Sequence, residues 1–400
     1  MSQKVKQIVS RFEHVGSFLR PPALQQARTE FEVGRLSRAE LTEVEDREIA
    51  ALAAKQVEAG LAYISDGEFR RSYWHLDFFW GFYGIERLEH ERGYQFHGEE
   101  TRKDSARLTD RLAYNPDHPV FAEFKFLKNL GLDAEIRHSI PSPSQFFAEL
   151  VRGINEEKVN EFYPDREVLY QDIARIYGET VQTLYTLGLR HLKLDDCTWG
   201  MLVDQGFWET MTGGAFNTEE LQQLYLKLNN AALAGLPEDL VVSTHVCRGN
   251  YHSTWATQGG YGPVAANLFG KEAVSAFFLE FDDERSGGFE PLSQVPAGKQ
   301  VVLGLITSKN GDLEDRETIL HRIGEAAKYV SLENLSLSPQ CGFASTEEGN
   351  ILSEAAQWEK LRFIADICQE VWGDCPSLET EVVKKSQPIV YSTVGRRQLV

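Results

Sequence analysis

Short apolar, β-branched runs recur along the chain at residues 12–17, 61–65, 134–140, 191–195, 240–245, 276–281, 300–306 and 335–338. Each is bounded by polar or glycine-containing turns, the pattern of strands covered on both faces. Stretches with helical spacing lie between most of them. In residues 38–59, Leu41, Val44, Ile49, Leu52 and Val57 fall on roughly one face, and residues 165–187, 218–234, 313–330 and 353–371 repeat the pattern.

Eight strands alternating with helices predict an α/β fold, a (β/α)8 TIM barrel in a single domain over residues 1–400. A doubly wound sheet is the alternative, because strand order is not written in one sequence. The chain has no Gly-x-Gly-x-x-Gly after its first strand and no Gly-x-x-x-x-Gly-Lys, which removes support for a nucleotide-binding version. Residues 89–130, charged and irregular with His90, His97 and His118, read as an insertion or lid subdomain after the second strand.

Composition narrows the function classes. The chain has 42% hydrophobic and 25% charged residues, enough apolar surface for a large core. Its 41 basic and 60 acidic residues give a net charge of -19, which argues against nucleic acid and anionic membranes as partners. No run of about 18 apolar residues occurs and the first residues lack an apolar stretch of signal-peptide length, so a cytoplasmic location is expected. The odd number of cysteines, Cys197, Cys247, Cys341, Cys368 and Cys375, is no disulfide framework. Metal ligation or simple burial fits them better.

The chemistry concentrates at strand ends. His245 and Cys247 end the fifth strand as His-x-Cys, and residues i and i+2 of an extended chain face the same side. Glu280 sits among Phe278, Leu279 and Phe281 in the sixth, where an inward carboxylate needs a partner. Cys341 follows the eighth. A parallel barrel gathers the C-terminal ends of all its strands at one face, so these four converge there. Two thiolates, an imidazole and a carboxylate suit tetrahedral zinc better than magnesium or calcium. The plainer reading of any one of these cysteines is a small buried hydrophobe.

Ser243-Thr244-His245-Val246-Cys247, Leu279-Glu280 and Pro339-Gln340-Cys341-Gly342-Phe343 resemble the zinc-binding signature of the cobalamin-independent methionine synthase family. His14-Val15-Gly16-Ser17-Phe18 resembles its Gly-Ser-Phe loop, Asp66-Gly67-Glu68 its His-Gly-Glu, and Leu194-Asp195-Asp196 its Ile-Asp-Glu. The resemblance runs from Ser17 to Cys341 and corresponds to the catalytic C-terminal barrel of the long enzymes. It implies a methyltransferase with Zn2+ on His245, Cys247, Glu280 and Cys341, which binds a thiol directly to the metal and methylates it to a thioether. Homocysteine would be the acceptor and methionine the product, with Ser17, Glu68 and Asp195 holding the amino-acid part. On their own these residues read more plainly as structural: Glu68 pairs with Arg70 or Arg71, Asp195 and Asp196 cap a helix, and Ser17 is a turn residue.

One departure concerns the methyl donor. Where the long enzymes carry a histidine that resembles a proton donor to the folate leaving nitrogen, this chain has Thr307, a poor general acid. The donor therefore stays open, with Lys309, His138 and His252 as substitutes the sequence does not place. Alkyl transfer to another thiol such as coenzyme M is one alternative, and a metal-free lyase resembling uroporphyrinogen decarboxylase is another. The partners expected are a small-molecule thiol and a methyl donor, with self-association left open. Tyr73, Trp74, Phe78, Phe79, Trp80 and Trp199 read either as an aromatic wall for a flat donor or as core. Cys368 and Cys375 read as structural, and Cys197 lies near the mouth without a spacing partner.

Overall fold

The computed structural model describes residues 8–212 and 218–373. Cys375 lies outside them. Seven strands form one parallel sheet in the order β1 (Tyr63–Ile64), β4 (Glu135–Pro141), β5 (His191–Asp196), β6 (Val241–Val246), β7 (Ala276–Glu280), β8 (Gln300–Ile306) and β9 (Leu335–Pro339). β2 (Tyr83–Glu89) and β3 (Asp104–Ala113) make a separate antiparallel hairpin.

The eighth member of the ring is the first run of the chain. Phe12 bridges Leu337 in parallel, with Glu13 N–H donating to Leu337 O at 3.0 Å and Leu337 N–H to Arg11 O at 2.9 Å. On its other side the segment meets β1, where the Ser65 hydroxyl donates to Gly16 O and His14 Nε2 lies 3.0 Å from Tyr63 O. The sheet thus closes into the (β/α)8 barrel, with strands one and two far shorter than the apolar runs that encode them.

Local signals set the helix limits. Ser37 and Glu40 form a capping box at the start of Arg38–Glu58, and Asp165, Asp315 and Ser353 cap Arg166–Leu187, Arg316–Ala326 and Glu354–Trp372. Between β7 and β8 the helix layer thins to the 3-10 turn Glu290–Gln294. Inside the barrel, Val9, Ala276, Phe278 and Val302 fill the floor. Above them comes a charged layer. The Arg137 guanidinium grips both oxygens of Glu13 and lies 3.9 Å from the Tyr63 ring centre, while Lys193 is 4.6 Å from that of Phe278.

The hairpin covers part of the mouth. Its connecting loop reaches residues 248–257, which follow Cys247, through His97 N–H to Trp255 O at 2.7 Å, Thr254 Oγ to His97 O at 2.8 Å, and a stacked His97–Trp255 pair. Residues 89–130 comprise this loop, β3 and the helix Pro119–Asn129, which packs on the barrel's helix layer. Among the described residues no helix is long and apolar enough to cross a membrane.

His118 starts that last helix in an unusual way. Its Nδ1 accepts the Val120 N–H at 3.2 Å, while Nε2 donates to Phe78 O at 2.9 Å, which requires the neutral ring. Burial, opposed by the Phe78 carbonyl and reinforced by Arg71, lowers its pKa to about 4. Below the unfolded value of about 6.5 only the unfolded chain takes up this proton, so the contribution is intact above pH 6.5 and lost toward pH 4, on the order of 3 kcal/mol. Urea denaturation across that range should show stability falling with pH, and His118→Asn, which keeps a capping oxygen, should flatten the slope. An unchanged slope would exclude His118 as a source.

Candidate metal centre and amino-acid pocket

The rim of β6, β7 and β9 brings together the four predicted ligands. One ligand atom from each of His245, Cys247, Glu280 and Cys341 lies within 4.8 Å of every other, and all four residues are buried. His245 is the fifth residue of β6, Glu280 the last of β7, and Cys247 and Cys341 stand just past β6 and β9. The two thiols are 3.7 Å apart.

Each donor is held by its other side. His245 Nδ1 lies 3.2 Å from Phe278 O, and since a carbonyl only accepts, Nδ1 carries the proton and Nε2 has its lone pair free. Nε2 is buried and, among the described residues, has no hydrogen-bond partner. Glu280 Oε1 accepts the Arg248 N–H at 2.8 Å, whereas Oε2 is buried and has no partner among the described residues. Two orphaned acceptors beside two thiols are costly to bury unless something positive meets them. A cation does so. The S2NO donor set fits zinc, and its one carboxylate among two sulfurs and a nitrogen is far from the all-oxygen shell that calcium or magnesium prefers.

Without a metal every donor is pushed toward its neutral form. Burial, with a smaller push from Lys193, lowers His245 to about 3, and burial raises Glu280 despite Lys309 and Arg248. The hydrogen bond with Cys197, together with burial, holds the Cys247 thiol well above its usual range, and the bond with Cys247 plus burial does the same for Cys341.

Glu68, Asp195 and Ser17 gather beside this cluster. Glu68 has φ 60°, a left-handed backbone that costs about 1–3 kcal/mol for a non-glycine residue, and it follows Gly67 at φ 66°. Asp66 Oδ1 accepts its N–H and Arg20 Nη2 donates to its carbonyl at 2.7 Å, which holds the strained turn. Its carboxylate is 3.6 Å from Arg71, while Oε2 is buried without a partner; Arg70 turns away to Glu45 and Asp46. Burial raises Glu68, and burial plus the Glu68 charge pushes Asp195 up to about 8, so the two carboxylates repel across one space. Gly16 presses against that space, where a Cβ would stand 3.4 Å from Glu68 Oε1 and 3.2 Å from Ser139 Oγ. The Ser17 hydroxyl instead accepts the Ala344 N–H at 3.3 Å.

Other predicted residues are dispersed. The Thr307 N–H donates to Glu314 Oε1 at 2.7 Å, and Lys309 Nζ donates to Asp282 at 2.6 Å. His252 sits on an outer loop 3.5 Å from Glu99, and His138 is buried in the wall, where burial lowers its pKa to about 4 against the opposing charge of Asp66. Tyr73, Phe78, Phe79 and Trp199 are core, and Trp74 alone among the predicted aromatics packs on the sulfurs. Lys193, Ser139 and Arg248, which no motif singles out, line the same region. Their only sequence signal is alternation, since Lys193 precedes Asp195 by two residues and Ser139 pairs with Lys193 in the ladder.

The short helix Thr198–Leu202 backs the Cys247 loop at Gly200, where a Cβ would stand 2.1 Å from Cys247 O. Gly200→Ala is therefore expected to push the Cys247–Arg248 backbone off the centre, destabilising the fold by about 1–3 kcal/mol and weakening metal binding. Thermal melts and a chelator competition check both effects, and an unperturbed variant would refute the close contact.

No family model matches the chain. The uncharacterized protein YxjH of Bacillus subtilis is 40% identical over 372 residues, 93% of this chain and 97% of its own. A solved structure from Listeria monocytogenes described as a vitamin-B12-independent methionine synthase is 34% identical, with a TM-score of 0.71 over 92% of this chain and all of that one. The methionine synthase of Pyrococcus abyssi is 24% identical over 338 residues, 82% of this chain and 84% of its own.

Proposed function

The chain belongs to the vitamin-B12-independent methionine synthase family, and from that footing we propose that it is a cytoplasmic zinc-dependent methyltransferase whose acceptor is homocysteine and whose product is methionine. The observation that carries the reading is the junction of two unsatisfied sites. His245 Nε2 and Glu280 Oε2 are buried without partners beside two thiols, and Glu68 Oε2 is buried without one in the adjacent carboxylate pocket.

His245, Cys247, Glu280 and Cys341 would hold the metal. Bound zinc supplies a positive charge that keeps an acceptor thiol, of free pKa about 8.5, ionised at neutral pH. The protein's own groups do the rest. Glu68 and Asp195 take the acceptor's ammonium, which relieves their mutual repulsion, and the backbone around Ser17 receives its carboxylate. Phe278 O, through His245, and Arg248 N–H, through Glu280, fix the donor geometry before substrate arrives. The acceptor sulfur then attacks the donor's methyl carbon; a carbon–sulfur bond forms, and the bond to the leaving group breaks with its electron pair. Two carboxylates favour an ammonium-bearing thiol over the sulfonate of coenzyme M.

Freshly purified protein should contain about one zinc per chain, as a single four-donor site requires, and the Cys247→Ser, Cys341→Ser double variant should lose it. Asp195→Asn should raise KM for homocysteine by about 10–100-fold, the size of one hydrogen bond to a charged group, with kcat much less affected. Steady-state kinetics with homocysteine and coenzyme M against a panel of methyl donors decides the matter. Absence of zinc, or preference for coenzyme M, would overturn the reading.

A further inference from the structure

Cys197 stands outside the four-donor cluster and touches it. The β5–β6 ladder pairs Asp195 with His245 and Asp196 with Val246, and Cys247 N–H donates to Asp196 O at 3.0 Å. One step further along the same register, Cys197 stands beside Cys247. Asp195 and His245 both face the site, and alternation along neighbouring strands turns Cys197 and Cys247 the same way, about 4.8 Å apart in backbone spacing. The result is visible in the packing. Cys197, Cys247 and Cys341 form one buried sulfur cluster walled by Trp74 and Met201.

We propose that Cys197 is a reserve donor to the metal held by His245, Cys247, Glu280 and Cys341, a proposal that rests on the metal reading above. Its sulfur is not among the four atoms that lie within 4.8 Å of one another, so it is no resting ligand. It is a soft donor at the edge of a site whose orphaned atoms, His245 Nε2 and Glu280 Oε2, already call for a cation. Five donors for four positions let one leave without stripping the centre. Glu280 is the donor suited to leave, because its Oε1 keeps the Arg248 N–H when Oε2 lets go.

Cobalt-substituted full-length protein tests this, because thiolate-to-cobalt absorption counts bound sulfurs and chelator competition gives affinity. Wild type and Cys197→Ser should match, each with two thiolates. Glu280→Gln should gain a third, raising the absorption by half, and Glu280→Gln with Cys197→Ser should lose that gain. Cys247→Ser should keep two thiolates through Cys197, whereas the Cys247→Ser, Cys197→Ser double variant should fall to one and bind cobalt at least tenfold more weakly. The gain in Glu280→Gln is a signal that a merely structural cysteine cannot produce, and it stands even where Cys247→Ser fails to fold. If each variant matches its Cys197→Ser counterpart while wild type binds metal, the reserve role is wrong and the metal site stands. Wild-type protein that binds no cobalt overturns both.

Discussion

The parallel ladder from β5 through β9 is the constraint on which everything else depends. Once Asp195 is locked opposite His245, and Glu280 opposite Gly304, no side chain at the rim can slide without breaking a continuous row of backbone hydrogen bonds. A slip of one residue would turn His245 and Cys247 into the helix layer. The metal cluster, the carboxylate pair and the sulfur group are three readings of one register.

That rigidity lets the barrel hold chemistry that an adaptable site would neutralise. Glu68, Asp195 and Glu280 are all pushed toward protonation by burial, and His245 toward neutrality. In a soft pocket such groups would find hydrogen-bond partners within the protein. Here their other atoms are committed to Phe278 O, Arg248 N–H and Arg71, so the unmet capacity points inward. Lys193 sits below with one long hydrogen bond to His14 O and, among the described residues, no ion pair within 4.0 Å, and it offsets part of the negative charge at the pocket floor. Preorganisation costs folding energy, and the large apolar core around the barrel offsets that cost.

Much of this was legible in the residues alone. The seven strands of the parallel sheet lie on the apolar runs that predict them and Phe12 of the first run bridges β9, because period and length are local properties, whereas the runs do not announce the β2–β3 hairpin. The four-donor cluster followed from strand ends and i, i+2 spacing, which a parallel barrel turns into proximity. Strand extents were not legible, since Phe12 and Tyr63–Ile64 owe their pairing to Leu337, Glu135 and Ile136, distant in sequence. Cys197 was hidden for a related reason. Its neighbour Cys247 is fifty residues away, and only the register joins them. The strained Glu68 turn was invisible too, because a left-handed glutamate is dictated by Asp66 and Arg20 around it rather than by its own preference.

The first strand pairs with β9, near the opposite end of the described chain. During synthesis, at roughly 5–20 residues per second, that strand waits on the order of tens of seconds for its partner. Ser17 and Gly16 belong to the waiting segment, and the Ser17 hydroxyl finds its Ala344 N–H only after β9 has been made. The pocket therefore cannot be completed before β9 has been made, so the strands synthesised earlier hold their rim residues without a finished site.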